Sequence, residues 1–135
     1  MDREILFRGE CVETSDWVKG HYVRLFDDKG NRHHRIYPGY AESDCGDLYP
    51  DWYEVDPNTV EQFTGLTDKN GKKIFEGDII QHGKRKGRIF YYGNFGMFMI
   101  SWIPNGGANI FMNVLHAEVE VIGNIHDNPE LVNEK

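Results

Sequence analysis

The residues able to do chemistry are few and scattered. The chain of 135 residues holds six histidines and two cysteines. His33 and His34 are adjacent, so on a strand they point to opposite faces and do not readily share one ion. His21, His82, His116 and His126 stand apart, and neither Cys-x-x-Cys nor His-Glu-x-x-His occurs. Glu42, Asp44 and Asp47 lie close together but lack the Asp-x-Asn-x-Asp-Gly spacing of a calcium loop, which reads as a solvated acidic loop. Ser15, Ser43 and Ser101 sit in no Gly-x-Ser-x-Gly elbow. Gly93-Asn94-Phe95-Gly96 and Gly106-Gly107 are turn glycines, with no helix and Lys-Ser/Thr behind them to cradle phosphate. The expectation is a chain with no catalytic residues, no metal, no cofactor and no small-molecule substrate.

What remains is surface chemistry of two kinds. Lys84, Arg85, Lys86 and Arg88 form a basic turn beside Phe90, Tyr91 and Tyr92. Small barrels bind nucleic acid by stacking bases on aromatics beside a basic groove, so these four cations with Tyr91 are the candidate nucleic-acid contact. Lys69, Lys72 and Lys73 would lie near them if the strand Ile74–Gln81 pairs locally. The run Met97-Phe98-Met99-Ile100-Ser101-Trp102-Ile103 offers more apolar surface than one face of a small sheet hides. Met97, Met99 and Trp102, with Phe111 and Met112, are therefore the candidate self-association surface. The other reading of the same run is a central strand covered on both faces.

Charge weighs against the first of these. The formal net charge is -7, which opposes bulk nucleic-acid binding. The balance is uneven: residues 1–56 carry 13 acids and 7 Lys or Arg, residues 57–135 carry 9 and 8. Glu42 to Asp56 holds six acids and no Lys or Arg, whereas Lys69 to Arg88 holds seven basic residues against Glu76 and Asp78. A local basic face survives in an acidic protein.

The elements that must position these residues are strands. Val, Ile, Phe, Tyr and Trp together number 38, against nine for Ala and Leu. β-branched and aromatic side chains suit a pleated, half-buried surface, and the leading helix formers are scarce. Strands are read at Ile5–Arg8, Trp17–Phe26, Arg32–Tyr37, Trp52–Val55, Lys73–Gln81 (where the Gly77-Asp78 step lets the chain swing from one strand into the next), Arg88–Tyr92, Met97–Ile103 and Glu118–Gly123. Asp27–Asn31, Asn70-Gly71 and Gly93–Gly96 reverse the chain. Asn109–Leu115 is either a strand or a helical turn. Asp56 as N-cap and Pro57 at the first helical position predict a helix of at most about two turns, ended by Gly65. Tyr40–Asp51 is read as a surface loop. The fold class is all-β to β-dominated α+β, divided into three parts. Residues 1–55 form an antiparallel meander with an acidic loop at 40–55. Residues 56–126 form the short helix, a hairpin and a small SH3-like barrel, and residues 127–135 form a polar tail.

No apolar run approaches the roughly 20 residues that span a bilayer, so no membrane partner is expected. Met1–Gly9 carries four charges and does not read as a signal peptide. Cys11 and Cys45 then read most simply as reduced thiols, with a disulfide between them left open.

The block Asp56-Pro57-Asn58-Thr59-Val60-Glu61-Gln62-Phe63-Thr64-Gly65-Leu66-Thr67-Asp68-Lys69-Asn70-Gly71, followed by Glu76-Gly77-Asp78, resembles the YopX family of phage and prophage proteins. Phe7-Arg8-Gly9 with Trp17-Val18-x-Gly20-x-Tyr22, and the ending Val121–Pro129, are similar to the family's two ends. The resemblance covers nearly the whole chain. It implies a small β-rich protein of phage or prophage origin, without established enzymatic activity and without a catalytic set to carry over. The expected role is a non-enzymatic accessory protein in the bacterial cytoplasm, a homo-oligomer or a module for an unidentified protein partner. Nucleic-acid binding through residues 84–88 is the alternative.

Overall fold

The computed structural model describes residues 3–38, 52–104, 107 and 110–132, without the side chain of Phe111. Of the acidic loop expected at 40–55, residues 40–51, including Cys45, lie outside the described residues. The chain is β-dominated, as its composition predicts, with two antiparallel sheets. It divides into two compact units, Met1–Gln62 and Phe63–Lys135.

The first unit holds β1 (Phe7–Glu10), β2 (Trp17–Phe26), β3 (Arg32–Tyr37), β4 (Tyr53–Glu54) and the first residues of β5 (Glu61–Thr67). Neighbours run β4-β3-β2-β1-β5, all antiparallel. Ile36, Val55 and Cys11 are buried there, and Cys11 is a free thiol. Asp56 accepts the Asn58 N–H at 3.0 Å, as an N-cap should. The helix it starts is a single 3₁₀ turn, Pro57–Thr59. Val60 is already extended, because Glu61 and Gln62 pair with Arg8 and Phe7 on β1. The ladder hydrogen bonds of a sheet outweigh a short helix that lacks a second turn.

The second unit holds the β5–β6 hairpin and a sheet. Its elements are β6 (Lys73–Phe75), β7 (Asp78–His82), β8 (Arg85–Tyr92), β9 (Met97–Ile103), β10 (Ile110–Phe111), α1 (Met112–Leu115), β11 (Glu120–Asn124) and α2 (Pro129–Val132). The sheet order is β10-β9-β8-β7-β11, so β11 returns to the free edge of β7. Ile110–Leu115 thus contains both the strand and the helical turn that its sequence left open. Ile74, Ile80, Ile89, Ile100, Trp102, Met112 and Val119 form the core on one face of the sheet. Each such buried aliphatic side chain contributes roughly 1.5–3 kcal/mol. Gly87 lies opposite Trp102 on β9, and a Cβ there would collide with Ile100.

Candidate functional site

The two most distinctive sequence motifs form turns. Asp68, at 5% exposure, accepts three backbone N–H groups: Asn70 at 2.8 Å and Lys72 at 2.9 Å on Oδ1, and Val121 at 3.0 Å on Oδ2. It closes the Asn70-Gly71 turn and ties that turn to β11. Burial pushes its carboxyl pKa up, but the three N–H groups more than offset this and hold it below its ordinary value. Asp78, at 2% exposure, accepts the Phe75 N–H at 2.8 Å. Gly77 between them has φ +84°, where other residues are strained, and its N–H donates to the Ile89 carbonyl at 2.8 Å. At the C-terminal end, Asn124 Oδ1 accepts the N–H groups of His126 at 2.9 Å and Asp127 at 2.8 Å. Asp68, Asp78 and the Asn124 side-chain oxygen are therefore engaged with backbone.

In the first unit Asp27, Glu54 and Glu61 meet cationic side chains. His33 stands between two carboxylates, with Nε2 2.9 Å from Asp27 and Nδ1 2.9 Å from Glu54. Both ring nitrogens must donate, which is the imidazolium state. The hydrogen bond to Asp27 raises the His33 pKa, and the same bond lowers Asp27 to about 2. Arg35 Nε donates to the same Glu54 oxygen at 3.1 Å, and its guanidinium lies 3.8 Å from the centre of the Trp52 ring. On β1, the Arg8 guanidinium reaches Glu61 at 2.9 Å, both side chains being nearly buried, with the Trp17 ring 5.0 Å away. These groups hold β1 to β5, and the β2–β3 turn and β4 to β3. Among the described residues, no group of three or more His, Cys, Asp or Glu is placed to hold a metal ion.

The basic stretch is strand more than turn. Only Gly83 and Lys84 lie in the reversal, since His82 already pairs with Arg85. From Arg85 on, side chains alternate between the two faces of the sheet. Lys86, Arg88, Phe90 and Tyr92 share one face. Arg85 and Tyr91 are on the other, six residues or about 20 Å apart at strand rise, with the core between them. Arg85 lies over Trp102, 4.0 Å from the ring centre, and Tyr91 packs edge-on against Phe98 at 5.4 Å. The five residues expected to make one nucleic-acid contact are thus split. In their place, the Tyr92 ring meets Phe90 at 6.3 Å and Phe95 at 5.0 Å, extending the Lys86–Arg88 face with aromatics.

The expected self-association surface closes inward. Met112 and Trp102 belong to the core of the second unit, and Met99 is 8% exposed. Trp102 and Met112 pack inward on one face of the sheet, and Met99 is buried beside Phe90 on the other. Of the five, Met97 is half-buried, and the Phe111 side chain lies outside the described residues.

Residues 6–133 match the family described as YopX protein. The chain belongs to the YopX family. The crystal structure of protein EF1440 from Enterococcus faecalis is similar, with 27% identity and a TM-score of 0.56. The likeness covers 97% of this chain and 99% of that one. No curated protein matches.

Two features of this YopX protein escape a reading by motif. The His33 cluster joins residues from β3, β4 and the turn before β3, brought together only by strand pairing. The aromatic row needs Phe95, which the sequence shows as a turn residue. Its signal was the period of two along residues 86–92.

Proposed function

We propose that this YopX protein is a non-enzymatic accessory protein of a phage or prophage. It acts in the cytoplasm of the bacterial host by binding nucleic acid through the β8–β9 hairpin. The second unit, as a small SH3-like barrel, presents that hairpin. The observation that carries the reading is the placement of Lys86, Arg88, Phe90 and Tyr92 on one strand face, continued by Phe95. Cations neutralise phosphates while aromatics take bases. The half of the chain that carries this face is nearly neutral, so the acidity of the whole molecule is not concentrated there. Electrophoretic shifts of labelled oligonucleotides at low salt test it. A complex that disappears when Lys84, Lys86 and Arg88 are all changed to Gln supports the reading; no complex with any oligonucleotide overturns it.

A protein-interaction or self-assembling module is the second reading. It is favoured by Tyr91 and Phe95, which are 50% and 62% exposed on the same hairpin. Light scattering at two protein concentrations checks it: a mass that rises with concentration supports assembly, and a constant monomer mass removes the homo-oligomer.

A further inference from the structure

We infer that the β8 face takes single-stranded nucleic acid, with bases stacked on Phe90, Tyr92 and Phe95 and phosphates held by Arg88 and Lys86. This rests on the nucleic-acid reading above and specifies its ligand. The argument begins with spacing. Side chains on one face of a strand repeat every two residues, about 7 Å apart. Stacked nucleotides rise only about 3.4 Å per step along one strand. A base on each aromatic therefore requires a strand pulled open to roughly twice its stacked rise. A duplex cannot supply this, because pairing keeps its bases stacked and their faces hidden. It offers this surface phosphates alone, and the aromatic half would go unused.

The order of residues sets the polarity of the site. The cations lie toward the β7–β8 turn and the aromatics toward the β8–β9 turn. Tyr92 is the pivot, with Phe90 edge-on to it at 89° and Phe95 tilted at 60°. Asn94 Nδ2 donates to the Tyr92 hydroxyl at 3.1 Å, which steadies that ring. Phe95 is 62% exposed, so an apolar ring is already in water where a base would cover it. Charge on this face is limited. The register places Gln81 beside Lys86 and Glu120 beside Gln81. Glu120 lies 3.9 Å from Lys69, which partly balances it. Two or three phosphate contacts are thus the electrostatic share, and stacking must supply the rest.

The test is fluorescence anisotropy of the full chain with labelled oligothymidylate, oligouridylate and a DNA duplex of equal length, over a series of salt concentrations. Both single strands should bind more tightly than the duplex, and the thymidylate and uridylate arms tell DNA from RNA. Phe95→Ala should weaken single-strand binding by about tenfold. It should leave the slope of log affinity against log salt unchanged. Arg88→Gln should instead lower that slope by about 0.7. Both side chains are exposed, so neither change threatens folding. A duplex bound as tightly as the single strands, or Phe95→Ala binding like the wild type, overturns the single-strand assignment and leaves nucleic-acid binding standing. No binding of any probe at low salt overturns both. So does Phe95-dependent assembly without oligonucleotide binding, which would give the face to a second copy of the chain.

Discussion

The most buried acids of the two units, Asp68 and Asp78 in the second and Glu61 in the first, meet different partners. In the second unit, Asp68 and Asp78 accept backbone N–H groups, which carry no titratable charge. In the first, Glu61 leans on Arg8, and Asp27 and Glu54 lean on His33 and Arg35. A backbone N–H is fixed by the fold and indifferent to pH in the physiological range. A side-chain cation costs rotamer freedom to hold and, where it is histidine, loses its charge near neutrality. The turns that Asp68 and Asp78 close are thus built to hold under most conditions, whereas the His33 cluster responds to pH.

The buried pair gives the largest expected effect. Glu61→Ala leaves Arg8 nearly buried without that carboxylate and should cost about 3–5 kcal/mol, read by urea unfolding. Replacing both residues by apolar ones, Arg8→Met with Glu61→Leu, should recover most of the loss, because the desolvation cost of both charges disappears. If the double variant is no more stable than the single, Arg8 is held chiefly by Trp17 and its other neighbours. Next comes Asp68→Ala, which strands three backbone N–H groups. At about 1 kcal/mol or more for each, it should lose at least about 3 kcal/mol. Asp68→Asn keeps acceptor capacity and should lose less. A loss as small for Asp68→Ala as for an exposed acid would break the contrast between the units.

The pH effect is smaller and has a definite sign. Because the folded pKa of His33 is raised, its contribution is fully present below the unfolded value of about 6.5 and fades as pH rises through the folded value. The lowered pKa of Asp27 acts at the other end. Its contribution is present above the ordinary carboxylate value and is lost only as pH falls toward about 2. The wild type should therefore be most stabilised relative to His33→Gln between about pH 4 and 6.5. The difference should shrink toward pH 9. Paired thermal unfolding curves of the two proteins cancel the other histidines and read His33 alone. A difference that grows with pH would contradict the imidazolium.

Much of this fold is legible in the chain. Trp17–Phe26 and Arg32–Tyr37 are strands at the residues their composition marks. The Asn70-Gly71 turn also lies where its local chemistry puts it. Local signals mislead where a distant partner decides. Asp56-Pro57 reads as the start of a helix, yet pairing with Arg8 and Phe7 makes Glu61 and Gln62 extended. Trp102 and Met112 read as surplus apolar surface, but the core on one face of a five-stranded sheet absorbs them, and Met99 is buried on the other face beside Phe90. The basic run 84–88 reads as one patch, and the pleat divides it. The His33 cluster is invisible in sequence because Asp27 and Glu54 lie six residues before and twenty-one after it.

The central claim is that the signature acids build the scaffold while the β8 face does the binding. Asp68→Asn and Arg88→Gln, each measured for thermal stability and for affinity toward oligothymidylate at low salt, test it together. Asp68→Asn should melt earlier yet bind like the wild type while folded; Arg88→Gln should melt like the wild type and bind more weakly. Folded Asp68→Asn without affinity, beside an Arg88→Gln that binds normally, would contradict it.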